Sequence, residues 1–134
     1  MVWRALYMSY DVIIVGAGPG GIYTAYELTQ KKPDLKIAVF EAGHALEKRH
    51  CPIDGDKVKS CVKCSCCSIM SGFGGAGAFS DGKYNITNDF GGTLHEYVGK
   101  KKAIELMHYV DEINMEHGGE GTKLYSTAGT HFKK

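Results

Sequence analysis

Residues 10–41 read YDVIIVGAGPGGIYTAYELTQKKPDLKIAVFE, and this stretch decides the fold of the chain. An apolar run at 12–15 leads directly into a G-x-G-x-x-G turn with glycines at Gly16, Gly18 and Gly21. A strand, this turn and a helix in that order are typical of a dinucleotide-binding unit. In such a unit Gly16 permits the tight turn, Gly18 lets a pyrophosphate approach the backbone, and Gly21 lets the helix pack closely on the strand.

The second half of the stretch completes the pattern. Apolar residues recur at helical spacing after the turn, and Pro33 predicts that the helix ends near Lys31 or Lys32. A second apolar run at 37–40 follows and ends at Glu41. An acid at the end of the second strand is expected to accept hydrogen bonds from the adenosine ribose hydroxyls.

The start of the predicted helix is the expected anion site. Its first N–H groups, including that of Gly20, have no intrahelical acceptor, and the helix dipole makes this end positive. A G-x-G-x-x-G spacing alone is weak evidence for dinucleotide binding. Here the other parts of the pattern also occur in order: a strand, the glycines, a helix, a second strand and an acid. The alternative is an ordinary α/β turn that binds no phosphate. Both apolar runs predict strands of a parallel sheet covered by helices, hence an α/β fold with an incomplete Rossmann-like βαβ unit.

Length and charge limit the remaining possibilities. The chain has 134 residues and a formal net charge of +1, which predicts at most one domain and no general attraction to nucleic acid or anionic membranes. No apolar run reaches the length of a membrane span, and the start lacks a signal peptide, so a cytoplasmic protein is expected. Only two strand patterns occur, so residues 8–134 are expected to be the N-terminal part of a larger domain, with 1–7 a tail or upstream start.

A cysteine segment, residues 51–67, reads CPIDGDKVKSCVKCSCC. Cys61, Cys64 and Cys67 form a C-x-x-C-x-x-C run, and Cys51 is available as a fourth ligand. Two residues between cysteines allow both sulfurs to face one metal, and this spacing also occurs in iron–sulfur ferredoxins. The sequence therefore predicts zinc or an iron–sulfur cluster, against the alternatives of reduced thiols near a flavin or a dithiol redox pair.

A second glycine-rich stretch reads GFGGAGAFSDGK at residues 72–83. Its spacing repeats G-x-G-x-x-G, but no strand of adequate length precedes it, so a second dinucleotide unit is not expected. Its mixture of glycines and aromatic residues predicts a loop packed closely against something flat. Further along, a capping-box pattern at 93–96 predicts a helix that runs to about His117 with an interruption at Gly99.

Residues 11–41 resemble the N-terminal FAD-binding segment of the flavoprotein oxidoreductases related to glutathione reductase. The stretch 51–83 adds to this, and together residues 8–120 resemble a bacterial family of uncharacterised FAD-dependent dehydrogenases. The resemblance implies FAD as cofactor, an unknown small-molecule or electron-carrier partner, and activity only in the full-length protein. The chain lacks the Gly-Asp motif that holds FAD near the C-terminus of full-length relatives.

The predicted cofactor contacts extend beyond the glycine turn. Arg49 is expected to add a charged contact to phosphate, and Gly74 and Gly75 are expected to approach the isoalloxazine or the pyrophosphate. No catalytic residue is identified. Two other functions stay open at this point: an NAD-binding domain of a dehydrogenase, and a non-catalytic metal-binding module built on the cysteine segment.

Overall fold

The structure is a computed structural model that describes residues 9–80, 82–89 and 91–123. The chain divides into two compact units, Met1–Asp81 and Gly82–Lys134. The predicted tail at residues 1–7 lies outside the described residues.

The first unit is built on a βαβ motif. Strands β1 (Val12–Val15) and β2 (Ile37–Phe40) pair in parallel, and helix α1 (Pro19–Lys31) connects them. The helix ends two residues before Pro33, as the sequence predicted, because the residue before a proline is excluded from the helical region. This α/β unit with a small parallel sheet is consistent with an incomplete Rossmann-like fold.

One face of the sheet is better covered than the other, although Val39 beside Ile14 is still 43% exposed. Ile14 is 8% exposed, whereas Ile13, Val15 and Phe40 are 60, 88 and 56% exposed. Alternate residues of a strand point to opposite faces and Val15 lies opposite Phe40, so the three exposed side chains share one face. The prediction that helices cover both faces therefore holds for one face only, because the single crossover helix packs on one side.

The rest of the first unit is mostly irregular. Two short 3₁₀ helices, Leu46–Lys48 and Gly75–Phe79, are the regular elements among the described residues after β2. The second of them lies within the glycine-rich stretch, which the sequence predicted to be a loop.

The second unit contains helices α2 (Leu94–Val98) and α3 (Lys100–Asn114), followed by a π-helical turn, Met115–Gly119. Gly99 separates the two helices with a φ of +81°, in the left-handed region that favours glycine. The predicted capping box starts the helix at the right place, but the Thr93 side chain makes no capping hydrogen bond. Among the described residues, every helix is too short or too polar to cross a membrane.

Candidate dinucleotide site

The glycine turn, residues 16–21, gives each of its three motif glycines a different role. Gly16 has a φ of +97°, and its N–H donates to the carbonyl oxygen of Phe40 at 2.7 Å, which ties the turn to β2. A Cβ on Gly21 would collide with the carbonyl oxygen of Gly16. A Cβ on Gly18 would meet only the Cα of Gly75, at 3.9 Å, an ordinary contact. The fold therefore requires glycine at 16 and 21, whereas at 18 the protein itself has room for a methyl group.

The start of α1 is suited to an anion. Gly18 is the N-cap and makes no side-chain capping bond, and Pro19 occupies the first turn without an N–H of its own. The first turn of α1, all of it described, carries no acidic side chain. The N–H groups of Gly20 and Gly21 consequently lie at the positive end of the helix without an intrahelical acceptor.

Glu41 connects three separate segments of the first unit through its carboxylate. Oε2 accepts the N–H of Ala17 at 2.7 Å, and Oε1 accepts the N–H groups of Gly43 at 2.9 Å and Gly72 at 3.1 Å. A carboxylate has about four lone-pair sites, so three of them bind backbone in this structure. These bonds leave one site, on Oε2, and the bond to ribose stays a prediction.

The same bonds set the ionisation of Glu41. The N–H of Ala17 and the N–H of Gly43 lower the pKa of its carboxyl most, with smaller lowering by the N–H of Gly72 and by the Arg49 guanidinium. Partial desolvation opposes them. The charged form is therefore favoured in the folded protein.

Glu41→Gln is expected to destabilise the protein at neutral pH, and the difference from the wild type is expected to shrink in acid. Because the folded pKa is lowered, the stabilisation is present above the ordinary value of 4.5 and is lost as the pH falls through the folded value. Urea unfolding at a series of pH values measures this difference. Glu47→Gln, at an exposed carboxylate, serves as the control. If the difference in unfolding free energy between the wild type and Glu41→Gln stayed constant with pH, the prediction would be contradicted.

The second glycine segment, residues 72–79, lies directly on the glycine turn. The N–H of Gly74 donates to the carbonyl oxygen of Ala17 at 2.8 Å. A Cβ on Gly75 would lie 3.1 Å from both the Cα of Gly18 and the Cδ of Pro19. The flat partner that the sequence predicted for this segment is the backbone of the glycine turn, and Gly75 faces Gly18 at the predicted pyrophosphate position.

Arg49 is buried, with 5% of its surface exposed, and organises the loops around the site. Its guanidinium donates to four carbonyl oxygens at 2.6–2.8 Å and stacks on the Phe79 ring, 4.7 Å from the ring centre. The four acceptors belong to Ser68, Ile69, Phe73 and Gly75. These bonds use four of the five N–H donors of the side chain, so Arg49 supports the second glycine segment, and its contact to phosphate stays a prediction.

The predicted metal ligands share one cavity. Cys51, Cys61, Cys64 and Cys67 all line a cavity of about 150 Å³, and the fifth cysteine, Cys66, is not among its lining residues. Within the described residues, however, no three His, Cys, Asp or Glu side chains are close enough together to hold one metal ion. The irregular segment therefore gathers the four thiols without forming the single-ion site that a zinc prediction requires.

Sequence reasoning missed how this site is held together. It did not predict that Ala17, Gly43 and Gly72 present N–H groups to Glu41, nor that Arg49 is buried. A Cβ on Gly43 would lie 2.5 Å from the backbone nitrogen of Gly72, so glycine is needed there. The available signal was the glycine two residues after the strand-ending acid, at the distance where a carboxylate can accept a backbone N–H.

The chain is similar to known proteins in its βαβ motif. The model of the Thi4 family matches residues 3–47. Thiamine thiazole synthase of Phaeosphaeria nodorum is 56% identical over 39 residues, which are 29% of this chain and 12% of that protein. The enzyme of the same name from Yarrowia lipolytica is 54% identical over 39 residues, again 29% of this chain and 12% of the relative. No solved structure matches.

These relatives are fungal thiazole synthases, whereas the sequence resemblance pointed to bacterial dehydrogenases. The similar segment spans about 12% of the length of the curated relatives. The match to the family model includes the glycine turn and Glu41 and stops at residue 47, before the cysteine segment. The chain is thus similar to the Thi4 family in its βαβ motif, a similarity that broadly fits a dinucleotide-binding unit.

Proposed function

We propose that the first unit is the FAD-binding part of a flavin-dependent oxidoreductase that acts with a small-molecule or electron-carrier partner. The observation that carries this proposal is the Gly18 backbone, bare of side chain, between the start of α1 and the backbone of Gly75. Such a surface admits a pyrophosphate and offers it N–H donors at the positive end of a helix. The similarity of residues 3–47 to the Thi4 family supports the same kind of unit.

The residues present fit the adenosine half of FAD. Gly16 and Gly21 shape the turn, Gly18 would give access to the backbone, and the N–H groups of Gly20 and Gly21 would donate to the phosphates. Glu41 holds the turn through Ala17 and keeps one acceptor site for a ribose hydroxyl. FAD, when bound, would supply the redox chemistry, and the protein would position it.

We do not propose thiazole synthesis for this chain, because the similarity is limited to the βαβ motif. A strand, glycine turn and helix bind dinucleotides in enzymes with many different reactions, so the motif supports the cofactor class and no particular substrate. An NAD-binding dehydrogenase domain uses the same turn. The experiment must therefore distinguish FAD binding from NAD binding.

Gly18→Ala is expected to weaken FAD binding by the intact protein at least about tenfold, about 1.4 kcal/mol, because the added methyl group occupies the path of the pyrophosphate. Its fold should be preserved, since the nearest protein atom lies 3.9 Å from the new Cβ. Flavin absorbance retained after gel filtration, followed by titration of the apoprotein with FAD, measures the effect. Circular dichroism checks the fold.

Thr29→Ala is the matched control, because this exposed threonine lies near the other end of α1 and its hydroxyl bonds only within the helix. It should retain FAD like the wild type. Equal FAD affinity of the wild type and Gly18→Ala would contradict the proposed site. Binding of NAD without FAD by the wild type would favour the dehydrogenase alternative.

A further inference from the structure

The four cysteines that line the cavity are brought together by the fold rather than by spacing alone. Arg49 stands two positions before the cysteine segment and donates to the carbonyls of Ser68 and Ile69, directly after its end. One buried guanidinium therefore joins the two ends of the segment. This closure places Cys51 beside the C-x-x-C-x-x-C run, from which it is separated by nine residues in the sequence.

The cavity offers a backbone N–H to one of its sulfurs. The N–H of Lys63 donates to Cys61 Sγ at 3.4 Å. The backbone of Lys63 is in the left-handed region, with a φ of +54°. N–H groups directed at sulfur stabilise thiolate ligands and tune the metal group that they hold. Lys63 also lines the cavity and adds a positive charge, and Pro52, Ile53 and Val62 give it an apolar wall.

The arrangement of the thiols does not match a zinc site. A zinc ion draws four sulfurs to about 2.3 Å from one point, which brings at least three ligands together. No such group exists among the described residues. An iron–sulfur cluster distributes its cysteines over different iron atoms, so its thiolates surround a volume rather than a point.

We propose that Cys51, Cys61, Cys64 and Cys67 bind an iron–sulfur cluster in this cavity. All four thiols line one cavity of about 150 Å³, and the spacing of the run is one that iron–sulfur proteins use. Cys66 is not a ligand. The proposal concerns the cysteine segment and does not depend on FAD binding.

The test is anaerobic reconstitution of the reduced, intact protein with iron salts and sulfide. Iron and acid-labile sulfide are measured after desalting, together with the visible absorption and electron paramagnetic resonance spectra. The wild type is expected to bind iron and sulfide in amounts close to stoichiometric with the protein. Cys66→Ser is expected to bind as much of each as the wild type. Cys61→Ser combined with Cys64→Ser is expected to lose most of both.

A second measurement uses the unmodified protein, so that misfolding of a variant cannot decide the outcome. Alkylation with iodoacetamide, mapped by mass spectrometry before and after reconstitution, should show slower labelling of the four cavity cysteines and no change at Cys66. A wild type without iron and sulfide, zinc bound in place of iron, or equal protection of Cys66 would each overturn the proposal.

Discussion

Gly21→Ala is expected to destabilise the protein by more than about 3 kcal/mol, the largest effect among single substitutions in the glycine turn. The new Cβ would collide with the carbonyl oxygen of Gly16, and a further contact, 3.3 Å from the Cγ2 of Ile14, lies in the small core. A backbone carbonyl cannot move aside as the end of a flexible side chain can. The helix would have to shift away from β1, and the packing between them would be lost.

Gly20→Ala is the matched control for this effect on stability. It adds the same methyl group one residue earlier, where no atom lies within 4 Å. Because alanine has a higher helix propensity than glycine, its stability should be unchanged or slightly increased. Urea unfolding followed by circular dichroism compares the two variants, and equal midpoints would show that close packing of helix and strand is not the role of Gly21.

Arg49→Met is expected to cost about 3 kcal/mol or more, because the substitution leaves four partly buried carbonyl oxygens without their donor. The methionine keeps much of the apolar stem but removes all four hydrogen bonds and the stacking on Phe79. The second glycine segment and the end of the cysteine segment would lose their shared support. Susceptibility to limited proteolysis in residues 68–79 should therefore rise together with the loss of stability.

Two further variants show which property of Arg49 is responsible for the loss of stability. Arg49→Lys keeps the charge but cannot reproduce a planar fork of donors, so it should recover only a minor part of the loss. Lys48→Met removes a positive charge from the preceding exposed residue and should change stability by no more than about 0.5 kcal/mol. If Lys48→Met and Arg49→Met were equally destabilising, net charge rather than the four bonds would be responsible.

The βαβ motif was predictable from the sequence because its signals are local. The apolar runs gave β1 and β2 with their observed bounds, and Pro33 gave the end of α1. The glycine turn was predictable because the strain of a positive φ at Gly16 and the close packing at Gly21 each exclude other residues at that position. These requirements are visible in the residue types alone.

The partners of charged and polar groups were not predictable in the same way. Glu41 was predicted to accept hydrogen bonds from ribose hydroxyls, but the sequence did not predict that its carboxylate accepts N–H groups from Ala17, Gly43 and Gly72, the last of which lies 31 residues away. Arg49 was expected at a phosphate, yet it donates to carbonyls 19 to 26 residues further along the chain. Hydrogen bonds between such distant segments leave no periodic pattern, because irregular loops place donors and acceptors individually.

By itself the sequence determined the parallel βαβ motif, and it predicted an anion site at the start of α1 and a set of four cysteines apart from Cys66. Only the tertiary structure decided that the second glycine segment packs on the glycine turn, that Arg49 bonds to carbonyls both in the second glycine segment and directly after the cysteine segment, and that the four thiols line one cavity. The physical reason is the range of the interactions. Strand, turn and helix follow from neighbouring residues, whereas a buried guanidinium or a half-buried carboxylate is satisfied by whichever backbone groups the folded loops bring to it.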